Sequence, residues 1–182
     1  MTKVYDTNKF LVKEMKQDIL FLKYLSNTYV ARSSLDNSVT IWDPNTDVTI
    51  LKYTKHTNVV EGLDQIDNDT LVSASYDKTI QIWRISTGET LKIINTSTWA
   101  RYVRILPDGI HLACGLDSKD NNLVIYDLYT DDFVLYLKGH SNTVYSLDIL
   151  SEQYMASASS DSSVIVWDLN SYTVKFNLTG YF

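Results

Sequence analysis

Gly139-His140-Ser141-Asn142-Thr143-Val144-Tyr145-Ser146-Leu147-Asp148 opens a stretch that runs through Ser157-Ala158-Ser159-Ser160-Asp161 to Val166-Trp167-Asp168. The same series occurs 84 residues upstream without a gap: His56, Asn58, Val60, Leu63, Asp64, Ser73-Ala74-Ser75, Asp77 and Trp83. A register kept over that length is a repeat signal that no single dipeptide gives. Two further copies halve the step. Ile41-Trp42-Asp43, Ile82-Trp83-Arg84, Ile125-Tyr126-Asp127 and Val166-Trp167-Asp168 mark one place in successive units, and their aromatic residues are 41, 43 and 41 residues apart.

Each unit is written for strands. Ser38-Val39-Thr40-Ile41-Trp42 and Thr79-Ile80-Gln81-Ile82-Trp83 alternate with period two. The chain holds 13 Tyr among 182 residues, with many Val, Ile and Thr, which suit a pleated, half-buried surface. Polar turns separate the runs at Asp36-Asn37, Asp77-Lys78, Ser86-Thr87-Gly88 and Pro107-Asp108-Gly109. Short strands between closely spaced turns predict an all-β chain.

These residues resemble the WD-repeat β-propeller family, whose units run from a Gly-His pair to a Trp-Asp pair within ~40–45 residues. Gly139-His140 to Trp167-Asp168 matches in full, and Lys55-His56 to Trp83-Arg84 in part. The resemblance implies four-stranded blades, with residues 143–149, 154–159, 163–167 and 173–178 as the strands of the last one, from the inside outward. Units then cover residues 13–53, 54–94, 95–137 and 138–182, with 1–12 as the end of a preceding incomplete blade. One blade cannot bury both of its faces, so Leu63, Leu71, Ile80 and Ile82 are expected to pack on neighbouring units.

Val4-Tyr5-Asp6 reads as the worn end of another Trp-Asp strand and Phe10-Leu11-Val12 as an outer strand. Leu178-Thr179-Gly180-Tyr181 aligns with Leu137-Lys138-Gly139-His140. The prediction is an incomplete propeller of four four-stranded units plus one extra N-terminal strand. A longer chain, a partner or a second copy completes the ring; the alternative is a closed four-bladed ring.

In this family a loop His, a second-strand Ser, a turn Asp and a third-strand Trp form a hydrogen-bonded relay that ties a blade together. By resemblance the relays are His56, Ser73, Asp77 and Trp83, and His140, Ser157, Asp161 and Trp167. The same His, Ser and Asp invite a hydrolase reading, but a catalytic triad needs an exposed nucleophile and no duplicate. Unit one has Asp36 and Trp42 but Met15 at the His place. Unit three has Asp120, with Thr96, Cys114 and Tyr126 at the His, Ser and Trp places. Those two units are expected to be softer.

Composition narrows the function. Lys plus Arg is 16 against 22 Asp plus Glu, a net charge of −6, which argues against a duplex nucleic-acid binder or a polybasic membrane module. Charged residues interrupt the first twenty positions, so no cleavable signal is read, and the longest apolar stretch is too short to span a bilayer. The single cysteine, Cys114, excludes a disulfide scaffold and favours an intracellular, cytoplasmic or nuclear setting. His56, His111 and His140 lack metal-ligand spacing and no phosphate loop is present, so neither metal nor cofactor is expected. Asp67-Asn68-Asp69 reads as a solvated turn.

WD-repeat propellers present an upper face made by residues flanking an inner-strand aliphatic and by the residue before the turn Asp. Carried over, that face holds Val59, Glu61 and Tyr76; Trp99, Arg101 and Lys119; Thr143, Tyr145 and Ser160; and Asp18, Leu20 and Leu35. Glu61, Tyr76, Trp99, Arg101, Lys119, Thr143, Tyr145 and Ser160 are the candidate protein-binding set, because large aromatics and Arg dominate interface hot spots. The function implied is a non-enzymatic scaffold or adaptor for a peptide or protein. The alternative is a propeller-type hydrolase with a channel-lining active site.

Overall fold

Alternation of β-branched and aromatic residues with polar ones gives each strand two usable faces, and the structure uses both. In the computed structural model, residues 2–4, 13–15, 18–120, 122–130 and 133–180 are described. They form four four-stranded antiparallel meanders, each strand paired with the next. Blade one comprises Ile19–Tyr24, Val30–Ser34, Val39–Asp43 and Val48–Tyr53, and blade two Val60–Asp67, Thr70–Ser75, Thr79–Arg84 and Thr90–Asn95. Blade three comprises Ala100–Ile105, His111–Leu116, Leu123–Asp127 and Phe133–Tyr136, and blade four Val144–Ile149, Tyr154–Ser159, Ser163–Asp168 and Thr173–Thr179. Among the described residues there is no helix, and so none long and apolar enough to cross a membrane. Ahead of the blades, Thr2–Val4 pairs antiparallel with Lys13–Met15. The expected outer strand at Phe10–Val12 lies outside the described residues, as do Tyr5, Asp6 and Tyr181.

The turns between second and third strands are set locally. Asp36, Asp77 and Asp161 each accept the amide two residues on, at 3.1, 2.9 and 3.0 Å. That bond steadies the intervening Asn37, Lys78 and Ser162, whose φ angles of 65°, 66° and 64° fall in the left-handed region.

The core consists of three apolar layers, one in each gap between consecutive blades. Ala31, Val39 and Ile41 of blade one meet Leu63, Leu71 and Trp83 of blade two. Val72, Ala74, Ile80 and Ile82 meet Val103, Leu112 and Cys114 of blade three, and Ala113 and Ile125 meet Leu147, Met155 and Trp167 of blade four. Burying a Leu or Ile in such a layer stabilises by about 1.5–3 kcal/mol, so each blade depends on its neighbour. Among the described residues, blade four is not packed on blade one. The outer flanks of the row are correspondingly open: Leu20, Leu22 and Tyr24 are exposed at one end, and Val174, Phe176 and Leu178 at the other.

Candidate functional site

All four inner strands carry a β-bulge at the same place. Pairing skips one residue between Ile19 and Phe21, Val60 and Gly62, Ala100 and Tyr102, and Val144 and Ser146. The unpaired residue is Leu20, Glu61, Arg101 or Tyr145, and a bulge re-aims such a side chain out of the ladder. Next to each bulge a backbone bond ties the strand start to the following turn. Leu35, Tyr76, Asp117 and Ser160 donate their amides to the carbonyls of Asp18, Val59, Trp99 and Thr143, at 3.2, 2.9, 3.0 and 3.0 Å. The position that Tyr76 holds in blade two therefore belongs to Asp117 in blade three rather than to Lys119. The turn there is two residues longer, and exposed Lys119 lines a separate open cavity of about 600 Å³ with Asn122, Lys138 and Ser141.

Arg101 is the centre of the cluster so formed. Its guanidinium bonds Glu61 at 2.9 Å and Asp117 at 2.7 Å, and donates to the Tyr76 hydroxyl, which in turn donates to Glu61. It also lies over three rings, 4.8 Å from the centre of Tyr76, 4.9 Å from Tyr145 and 6.0 Å from Trp99. Tyr76 and Trp99 stack on each other at 4.7 Å, 10° from parallel. Thr143 donates to the second Asp117 oxygen at 2.7 Å, which links blade four to the cluster. Ser160 is exposed and reaches only the Thr143 carbonyl, at 3.4 Å.

The electrostatics fix these charges. Burial works against the Arg101 charge, but the bond to Asp117 and the field of Glu61 raise its pKa further. Burial likewise disfavours the Asp117 carboxylate, and the bonds from Thr143 and Arg101 outweigh it and hold its pKa low. Burial, the hydrogen bond to Glu61 and that residue's charge push the Tyr76 hydroxyl well up, so it stays a donor. Trp99 and Tyr145 remain 41% and 51% exposed above this charged clamp. The arrangement is an amphipathic platform: its charged groups pair with one another, only the buried Arg101 Nε lacking a partner among the described residues, and two aromatic faces are left to solvent.

Two hydrogen-bonded relays lie in the body of blades two and four. His56 Nδ1 is 2.7 Å from Asp77 and its Nε2 2.7 Å from the Ser73 hydroxyl, to which Trp83 Nε1 donates at 3.1 Å. The corresponding distances for His140 are 3.0 Å to Asp161 and 2.7 Å to Ser157, with Trp167 donating at 2.7 Å. Burial opposes the Asp77 and Asp161 charges, yet the hydroxyl, amide and imidazole donors around each hold both carboxyls down at about 2. Ser73 and Ser157 are fully buried beneath these partners, so no substrate carbonyl can reach either hydroxyl.

Blades one and three are wired differently. Arg32 stands at the Ser73 place, Trp42 Nε1 donates to Asp47 at 3.0 Å, and Asp36 pairs with Lys52 at 2.8 Å. In blade three Cys114 and Tyr126 face Val72 and Ile82 within one apolar layer, and burial raises the Cys114 thiol pKa far above its ordinary value. Among the described residues no three His, Cys, Asp or Glu side chains converge as a metal ion would need.

The WD40 sequence profile, described as WD domain, G-beta repeat, matches residues 48–84 and 132–168. Those two segments contain the two relay tryptophans. The nuclear distribution protein nudF of Aspergillus niger is 33% identical over 132 residues, covering 70% of this chain and 29% of the relative. The E3 ubiquitin-protein ligase COP1 of Pisum sativum is 29% identical over 153 residues, 81% of this chain and 22% of the relative. The small ribosomal subunit protein RACK1y of Oryza sativa subsp. japonica is 29% identical over 110 residues, 60% of this chain and 32% of the relative. The chain thus spans about a third or less of the length of these curated relatives. Matched repeats and blade architecture coincide: the chain belongs to the WD-repeat family.

Proposed function

We propose that the chain is a non-enzymatic interaction scaffold that receives a peptide or protein on the bulged ends of its inner strands. The observation that carries this reading is the exposed Trp99–Tyr145 pair held over the Arg101–Glu61–Asp117 clamp. An anchor whose rotamers are already fixed loses little entropy on binding, which is what makes aromatic hot spots effective. The relays are read as internal ties because their serines are sealed from solvent and because the set occurs twice. The relatives' names describe a nuclear distribution protein, a ubiquitin ligase and a ribosomal subunit protein. Such varied roles suit a platform better than one shared chemistry. We read the setting as intracellular, in cytoplasm or nucleus.

A displayed library of random linear peptides, panned on the chain, tests the reading. Peptides selected on the wild type should bind the Trp99→Ala/Tyr145→Ala double variant about a hundredfold more weakly. Circular dichroism and melting should be unchanged, since both side chains are half exposed. Equal binding by the double variant would place the partner elsewhere and defeat the face assignment.

A further inference from the structure

The fold changes the charge balance of the bulged strand ends. By spacing, that face sets Arg101 and Lys119 against Asp18 and Glu61. In the structure Asp117 takes the place of Lys119, its amide tied to the Trp99 carbonyl at 3.0 Å. Among the described residues, the positions around the four bulges then hold three acids, Asp18, Glu61 and Asp117, against the one cation Arg101. Lys78 and Lys119 lie farther out, in the turns between second and third strands.

Arg101 cannot neutralise that surplus. One guanidinium meets two carboxylates, Glu61 at 2.9 Å and Asp117 at 2.7 Å, so the trio keeps one negative charge. The acids are also its outward parts: the Arg101 side chain is 13% exposed, against 30% for Glu61 and 28% for Asp117. The Tyr76 hydroxyl feels the same sign. Burial and the bond and charge of Glu61 push its pKa up against the opposing pull of Arg101. Aromatic faces add partial negative charge of their own. Arg101 takes one face of the Tyr145 ring, at 4.9 Å, and half of that residue remains exposed, as does much of Trp99.

We infer that the Trp99–Tyr145 pair receives a Lys or Arg side chain of a linear peptide, laid against an aromatic face and beside the Glu61 and Asp117 carboxylates. The inference rests on the peptide-binding reading above and adds the chemistry of the residue taken. The surroundings select its charge. An acidic side chain would meet two carboxylates and be repelled. An apolar one would cover the uncompensated charge of the trio, which costs more away from water than in it. A cation offsets that charge and gains the ring face besides. Acceptors remain for it. Glu61 takes one hydrogen bond on each oxygen, from Tyr76 and Arg101, and Asp117 one on each, from Thr143 and Arg101, so every oxygen keeps a second lone pair. The net charge of −6 acts in the same sense at long range and draws cationic peptides toward the chain.

The probes are peptides panned on the wild-type chain and lost by the Trp99→Ala/Tyr145→Ala double variant. They should share a Lys or Arg at one place. Synthetic copies with that residue replaced by Gln should bind the wild type about tenfold more weakly in calorimetric titration. Raising sodium chloride from about 0.05 M to about 0.5 M should weaken the cationic peptide several-fold and the Gln copy hardly at all, a comparison that needs no protein variant. Glu61→Gln keeps an acceptor for Tyr76 and Arg101 but removes the surplus charge. It should weaken the cationic peptide about fivefold and leave the Gln copy unchanged. Probes without a shared cation, equal affinity for both peptides, binding indifferent to salt, or equal losses of both peptides in Glu61→Gln would each overturn the inference and leave the peptide-binding reading standing. Retention of every panned peptide by the double variant would instead overturn that reading, and the inference with it.

Discussion

Blades two and four carry the same relay at the same spacing, yet their burial differs. Each residue of the blade-two strand Thr70–Ser75 is buried, whereas in the blade-four strand Tyr154–Ser159 only Met155 and Ser157 are. Their turns and relay distances are nearly alike. Strand, turn and relay therefore follow from the local sequence, while burial of the second face is conferred by the neighbouring blade. The same motif is a sealed layer in the middle of the row and a half-open surface at its end.

The sharpest way to break this comparison is at Gly62. A Cβ there would lie 2.8 Å from the Arg101 carbonyl and 2.9 Å from the Tyr102 Cα, both backbone atoms of blade three that cannot swing away. Its blade-four counterpart is Ser146, which is exposed with no following blade against it. Gly62→Ser should cost about 2–3 kcal/mol through overpacking, while Ser146→Ala should stay within about 0.5 kcal/mol. Urea unfolding of the two variants decides it; similar losses at both sites would remove the distinction between inner and end blades.

Relay substitutions come next. His56→Ala removes the imidazole that bonds both Ser73 and Asp77 and should cost about 1–3 kcal/mol, with His140→Ala alike. Thr96 stands at the corresponding place in blade three, and its hydroxyl donates to the Thr98 carbonyl at 2.6 Å. Thr96→Ala should cost no more than about 1 kcal/mol. Equal losses in blades two and three would mean that the relay adds nothing beyond packing.

Acid should expose the relays with a gentler slope. Asp77 and Asp161 are held at about 2 in the fold against an ordinary value of 3.8. A lowered carboxylate pKa contributes stability that is complete above the unfolded value and is lost as pH falls through the folded one. The urea midpoint should therefore drop as pH is lowered from 3.8 toward 2, and Asp77→Asn should flatten part of that fall. Asp36 of blade one is also held at about 2: burial opposes its charge, and Lys52 and Ser38 outweigh it. That pair is more exposed, so Asp36→Asn should flatten the curve less than Asp77→Asn does.

What the sequence made legible was whatever repeats at a fixed offset. The Trp-to-Trp steps locate the strands, and the 84-residue echo singles out His56, Ser73, Asp77 and Trp83 as a set. The bulges were not legible, because an extra residue in an inner strand shows only once that strand is paired with the next. They are what places Glu61, Arg101 and Tyr145 at one end of the row. Asp117 was missed for a related reason: anchoring on Asp120 counts back to Lys119 when the turn is two residues longer. Arg32 at the Ser73 place carries no signal of its own in the His, Asp and Trp spacing.

The smallest effect expected concerns the inner flank of blade one. Ser33 is fully buried, and its hydroxyl has no hydrogen-bond partner among the described residues. The same place holds Ala74 in blade two and Ala158 in blade four. A hydroxyl sealed without a partner keeps the cost of losing water and gains nothing for it. Ser33→Ala removes that cost with almost no change in volume, so it should stabilise the chain by up to about 1 kcal/mol, read as a higher urea midpoint at unchanged slope. A loss of stability instead would show that the hydroxyl is satisfied in solution. The gap between blades one and two would then admit water, unlike the gap between blades two and three, where Ala74 leaves nothing to hydrate.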